Sequence, residues 1–216
     1  TVSNFAVNSS ACTGSGGSGA PVGGVAIYNF ENNTNDSSGN GNHATGSANI
    51  SYAASRDGNG VQFTSGVDSY VDTGLLNGHN PSTTHLVVAF GIRINASELG
   101  KRRFLAGVAL GTDQRFYIRR DLDNIWDFGT QTVVSPINTE FPVVAGDTHV
   151  CVKFNPTTDT ATLYINGVAG TISGASVQSY TPYTFPSTLR FGLPPSFPIT
   201  QSPPDIIDQA YIYTTD

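Results

Sequence analysis

Hydrophobic and polar residues alternate over many short stretches of this chain, most clearly over residues 147–167. Val150, Val152 and Phe154 alternate with His149, Cys151 and Lys153, and after a turn Ala161, Leu163 and Ile165 alternate with Thr162, Tyr164 and Asn166. A period of two is that of a β-strand with one buried face. Between the two runs, Asn155-Pro156-Thr157-Thr158-Asp159 is turn chemistry, because proline presets φ while Asn and Asp bond their own backbone. Asn166-Gly167 suits positive φ and predicts a second tight turn into residues 169–172. The hairpin has an apolar face, and such a face needs a second layer over it.

The pattern recurs along the chain. Residues 24–30 (GVAIYNF) predict a strand, and shorter ones follow at 50–53, 60–63 and 69–72. Residues 85–94 (HLVVAFGIRI) predict a long central strand, with Val87 and Ala89 filling part of its second face. Another strand starts at Lys101-Arg102-Arg103, read as a solvated end, and continues through 105–110. Residues 115–119 and 124–128 predict a hairpin. Asp121, Asp123 and Asp127 beside its turn lack the central Gly and distal Glu of an EF-hand. Residues 188–192 and 205–213 complete the set. In the last of these, alternation places Ile206, Asp208, Ala210 and Ile212 on one face and Ile207, Gln209, Tyr211 and Tyr213 on the other. No segment carries a helical repeat. About fourteen strands in two antiparallel sheets with jelly-roll connections make an all-β sandwich.

Composition narrows the partners. Charged residues are 12% of 216 and the formal net charge is −6, so there is no basic field to draw nucleic acid. No apolar run approaches the roughly 20 residues that span a bilayer. Residues 24–216 read as one domain, and residues 1–23 as a β-prone arm (Val2, Phe5, Val7) followed by a Gly/Ser-rich hinge. The arm either pairs with its own sheet edge or, through residues 1–20, adds a strand to another copy of the chain. A start at Thr1 and the lack of Met read as a processed or excised product. Cys12 and Cys151 fit no metal spacing. They read either as a disulfide, with the tail lying across the outer side of the Cys151 strand, or as two separate buried thiols. The disulfide implies an oxidising, extracellular compartment.

Four pieces occur in order over residues 25–216: YNFENNTNDSSGNGNHATG, GNGVQFTSGVDSYVDTG, DTHVCVKFNPTTDTATLYINGVAG and IIDQAYIYTTD. In them the chain resembles the laminin-G-like family of the concanavalin A-like lectins and glucanases. The resemblance implies a jelly roll exposed outside the cell that binds carbohydrate or a surface protein, with calcium as a cofactor. The oxygen-rich loop then offers Asp36, Asn40 and Asn42 as calcium ligands, with Asp208 closing the shell and Asp68 as a further candidate. The same loop also reads as a turn cluster held by Asx hydrogen bonds. For sugar stacking the candidates are Trp126, Tyr183 and Phe185, although Trp126 also reads as a core or edge filler.

Catalysis is not expected. The glucanases of this fold use a Glu-x-Asp-x-x-Glu strand, and neither Glu31, Glu98 nor Glu140 begins one. No G-x-S-x-G elbow occurs. Two roles remain: a non-catalytic extracellular binding module, or a structural subunit of an extracellular filament or virion surface assembled through the N-terminal arm.

Overall fold

The computed structural model describes residues 24–81, 83–110, 114–130, 137–165, 168–169, 184–195 and 197–215. These fold as a two-sheet antiparallel jelly-roll sandwich of fifteen described strands. Cys12, Tyr183 and the arm at 1–23 lie outside the described residues.

One sheet runs in the order β13 (Val168–Ala169), β12 (Thr160–Ile165), β11 (Gly146–Asn155), β6 (His85–Ile94), β15 (Ile206–Thr215), β4 (Gly58–Phe63) and β3 (Ile50–Ser55). β1 (Gly24–Tyr28) joins the half of β15 that β4 leaves unpaired. The other sheet runs β10 (Ile137–Pro142), β9 (Ile125–Thr130), β8 (Gln114–Arg120), β7 (Arg103–Leu110), β14 (Arg190–Gly192), β5 (Tyr70–Asp72) and β2 (Thr45–Gly46). No helix among the described residues is long and apolar enough to cross a membrane.

The hairpin read from alternation is β11 and β12. Val150 pairs with Ile165, Val152 with Leu163 and Phe154 with Ala161, and all six are buried in the core between the sheets. Aromatic rings join the layers: Phe116 of β8 meets Phe154 of β11 edge-on at 5.1 Å, and Phe90 of β6 meets Phe191 of β14 at 5.8 Å. Next to Phe191, Gly192 has φ +86°, and a Cβ there would fall 2.6 Å from the Phe63 ring. Only glycine fits so close an approach in that conformation.

Three expectations change. In β15 strict alternation fails, because Ile207 pairs with Ile92 and Ala210 with Phe90, so that Asp208 and Gln209 together face Gly91. Two residues against one is a β-bulge, and it turns Ile207, Ala210 and Ile212 to the core. The second face of the β11 sheet is also not polar. Ile27, Val87, Ala89, Cys151, Tyr211 and Tyr213 form a separate buried apolar cluster there.

The charge run at 101–103 is not simply solvated either. Lys101 and Arg103 both bond Glu98, at 2.8 and 3.0 Å, and Arg102 grips Asp121 with two bonds of 2.7 and 2.9 Å. Beneath them Arg120 donates to Asp205 at 2.7 Å and to the Glu98 carbonyl, while the Asn95 N–H reaches Asp205 at 3.4 Å. This clamp ties β8 of one sheet to the residue entering β15 of the other. Arg120 is 1% and Asp205 0% exposed, so water cannot compensate either charge if its partner is lost. Asp205→Ala is therefore expected to cost roughly 3–5 kcal/mol in urea unfolding, with much of that loss recovered by the apolar pair Arg120→Met/Asp205→Leu. A single-variant cost below about 1 kcal/mol, the range of exposed pairs, would show that the clamp is hydrated.

Candidate functional site

The oxygen-rich loop is organised by Asp36, whose carboxylate accepts from protein donors. Its Oδ1 takes the N–H groups of Ile27 (3.0 Å) and Ser38 (2.8 Å), and its Oδ2 takes the Ser38 hydroxyl (2.8 Å) and the Asn42 N–H (2.9 Å). Burial raises the pKa of this group, but the hydrogen bonds from Ile27, Ser38 and Asn42 outweigh it and leave the carboxyl below its ordinary range. Asn40 and Asn42 turn their amide nitrogens to the Val25 carbonyl, at 3.2 and 2.8 Å. The loop thus has the geometry of an Asx-bonded turn cluster. Asp68 is exposed, with its carbonyl accepting from Asn49. Asp208 is engaged with Asp57. Among the described residues no group of three or more His, Cys, Asp and Glu is placed to hold a metal.

Two of the proposed sugar platforms are interior. Trp126 and Phe185 are each 1% exposed, and Phe185 stacks on Phe116 at 6.1 Å and meets Phe154 edge-on. These rings fill the space between the sheets, where burying their area stabilises the fold, and offer no plane to a sugar. Tyr183 is outside the described residues. Cys151 is buried in the outer-face cluster, and its expected partner Cys12 is likewise outside the description.

The constellation that alternation hid lies at the β15 bulge. A cleft enclosing about 340 Å³ of empty space, part of it open to solvent, is lined by Arg56, Asp57, Gly91, Asp147, His149 and Asp208, with Ser55, Gln209 and Tyr211 beside them. Its floor follows from local structure. Phe90 and Ile92 point into the core, so Gly91 faces outward and leaves the space a side chain would fill. The bulge sets Asp208 and Gln209 across from it, and the Arg56-Asp57 turn between β3 and β4 supplies one rim. At the other rim Arg93 holds Asp147 by two bonds of 2.8 and 3.1 Å and reaches the Ala54 carbonyl at 3.1 Å.

Asp208 is 5% exposed; its Oδ2 accepts the Asp57 N–H at 3.1 Å, while its Oδ1 has no partner. Burial raises its pKa, and the Asp57 and Ser55 hydrogen bonds offset only part of that. The Tyr211 phenol, pushed up to about 12 by burial and then by Asp208 and Asp57, stays protonated and donates to Gln209 Oε1 at 2.6 Å. His149 is lowered to about 4 by burial and then by Arg56, so it is neutral at pH 7. The cleft therefore sets the carboxylates of Asp57, Asp147 and Asp208 beside a neutral imidazole. One signal for it was present in the sequence, since a lone Gly inside an apolar strand marks a bulge or a close approach.

No family model and no curated protein matches the chain in sequence. Solved structures do match it in fold. The binding domain of Paraclostridial Mosquitocidal Protein 1 aligns with a TM-score of 0.67 at 18% identity, over 88% of this chain and 48% of that one. A Trypanosoma rangeli sialidase in complex with 2,3-difluorosialic acid gives 0.66 at 19% identity, over 94% of this chain and 32% of that one. The binding domain of botulinum neurotoxin DC in complex with rat synaptotagmin II gives 0.58 at 18% identity, over 87% and 47%. The chain thus spans about half the length of the two toxin domains and about a third of the sialidase. At such identities the likeness shows the β-sandwich fold alone.

The buried imidazole gives the site a readable signature. By NMR, His149 is expected to titrate near pH 4 instead of 6.5. Between those values the unfolded chain binds the proton and the folded chain does not, so the contribution of His149 to stability is whole above pH 6.5 and falls as pH drops toward 4. An ordinary value near 6.5 would mean that water reaches this face.

Proposed function

We propose that the chain is a non-catalytic, extracellular binding module of the laminin-G-like kind that seats a carbohydrate in the cleft beside the β15 bulge. The observation that carries this reading is the cleft itself: a preformed concavity on a sheet face, edged by fixed polar side chains, with one buried carboxylate oxygen left unpartnered. The sandwich shared with toxin binding domains supports a binding role by analogy of fold only. Two of the cleft's carboxylates, Asp57 and Asp147, are bound to Arg56 and Arg93, which suits positioning better than proton transfer.

A second reading is favoured by the outer-face cluster. Its six buried side chains, and Tyr164 packed against them, all come from strands of one sheet, so their cover comes from elsewhere. Residues 1–23 precede β1 directly and carry Cys12 and the apolar Val2, Phe5 and Val7. In this reading that segment, from the same chain or from a neighbouring copy, covers the cluster and is pinned to Cys151 by a disulfide. The module then serves as a subunit of an extracellular filament or virion surface.

Each reading has its test. On a glycan array, run with calcium and with chelator to score calcium dependence, the wild type is expected to retain glycans and Gly91→Val to lose them at least tenfold. A Cβ at Gly91 meets only ordinary contacts, 3.6 Å from Asp208 Cβ, and the γ-methyls of valine are what fill the cleft, so the variant's melting temperature is measured beside the array to show that it is folded. Retention of nothing by the wild type, or unchanged retention by the variant, would remove the cleft from the account. For the second reading, deletion of residues 1–20 is expected to abolish self-association in light scattering, and non-reducing peptide mapping to show Cys12 joined to Cys151. A wild type that is already monomeric would end the exchange idea.

A further inference from the structure

We propose that residues 1–23 close back on their own molecule, crossing the outside of the β11 sheet as a strap in which Cys12 bonds Cys151 of the same chain. The inference rests on the reading in which this arm covers the outer-face cluster, and it decides which molecule supplies the cover.

The cluster is a band that runs across the strands. Ile27 of β1 pairs with Tyr211 of β15, Tyr211 with Ala89 of β6, Ala89 with Cys151 of β11, and Cys151 with Tyr164 of β12. Tyr213 and Val87, paired with each other two residues along, widen the band. Residues directly opposite one another share a face of the sheet, so all of these point outward together. Their exposure identifies the source of the cover. In one chain taken alone, Ala89 and Cys151 are 0% exposed and the other four between 3% and 8%. The outer face of a single sheet does not shut itself off from water to that degree. The cover therefore belongs to the same molecule.

Two long stretches of the chain lie outside the described residues, 1–23 and 170–183. The second joins β13 at the sheet's edge to Phe185, whose ring is buried between the sheets, and it carries no cysteine. The first ends at Gly24, which pairs with Tyr213 and so enters the sheet at a corner of the band. It also carries Cys12. From Gly24 to Cys151 the path crosses three strand spacings and slips two residues, about 16 Å in all. The stretch from Cys12 to Gly23 is twelve residues, mostly Gly and Ser. A chain of that kind and length has a root-mean-square reach of about 17–21 Å. When reach matches span, the effective concentration of one end at the other is near its maximum, on the order of millimolar, so closure within a molecule outruns pairing between dilute molecules. Closing the bridge removes two protons and two electrons from the two thiols. A disulfide oxidant accepts them by exchange and leaves as its dithiol.

The test is made on the full chain, produced in an oxidising compartment, trapped with an alkylating agent and weighed under denaturing, non-reducing conditions. The expected product is a single chain lighter by two hydrogens, with Cys12 joined to Cys151 in its peptide map. A covalent dimer in which Cys12 of one chain maps to Cys151 of another would overturn the same-molecule route and leave the arm as the cover. Two alkylated thiols would overturn the bridge. The cover itself is read with anilinonaphthalene sulfonate, a dye that brightens on apolar surface. Deletion of residues 1–20 together with Cys151→Ser should raise its fluorescence severalfold over the wild type while the circular dichroism spectrum stays that of a β-sandwich. A folded variant no brighter than the wild type would overturn the arm as cover, and with it the reading on which this inference rests. The mass of the wild type decides the route whatever the variant does to folding.

Discussion

The structure depends on where its last strand goes. β15 lies inside its sheet with β6 along one edge and β4 and β1 sharing the other. Ile207, Ala210 and Ile212 therefore enter the core only when segments from the start, the middle and the end of the chain have met. Pairings so distant in sequence incur loop-closure entropy before any burial compensates it, which makes such topologies slow to form. The same strand carries the bulge. A local irregularity in the strand that closes the sheet turns Asp208 away from the core and sets it against Gly91.

Charge is used sparingly and in pairs. Only 12% of residues are charged, yet the arginines whose side chains are described all hold carboxylates, from the exposed Arg56–Asp57 pair to the enclosed Arg120–Asp205 pair. Exposed pairs of this kind add little to stability, whereas the enclosed one fixes how β8 and β15 sit at the end of the sandwich. A second effect follows for recognition. With guanidiniums committed internally, the surface around the cleft presents acceptors and offers few free cations. The shared sandwich does not decide ligand chemistry, because one fold carries many functions.

The two sheet faces divide the labour. Between the sheets, edge-on aromatic pairs such as Phe116–Phe154 lock the layers, and Trp126 and Phe185 belong to that packing. On the outside of the β11 sheet, the apolar cluster around Cys151 and Tyr211 adjoins the polar cleft, and Tyr211 belongs to both. Whatever covers the cluster therefore stands next to the cleft.

Alternation along the chain determined most of the strands. β6 spans the expected 85–94, the β11–β12 hairpin buries the expected residues, and two antiparallel sheets follow from the number of one-sided strands. That information is local, since a side chain's face follows from its neighbours' spacing. Tertiary structure decided the rest. A period of two cannot register the extra residue at Asp208-Gln209, and polarity does not tell an inward Trp126 from an exposed one. An oxygen-rich loop does not reveal that Asp36 spends its lone pairs on Ile27, Ser38 and Asn42. Asp208 stood out in the sequence as a carboxylate, but its burial with one oxygen unpartnered exists only because Gly91, the Arg56-Asp57 turn and the bulge come from three distant parts of the chain. Which polar atoms find partners is a property of that meeting, and no single stretch of sequence contains it.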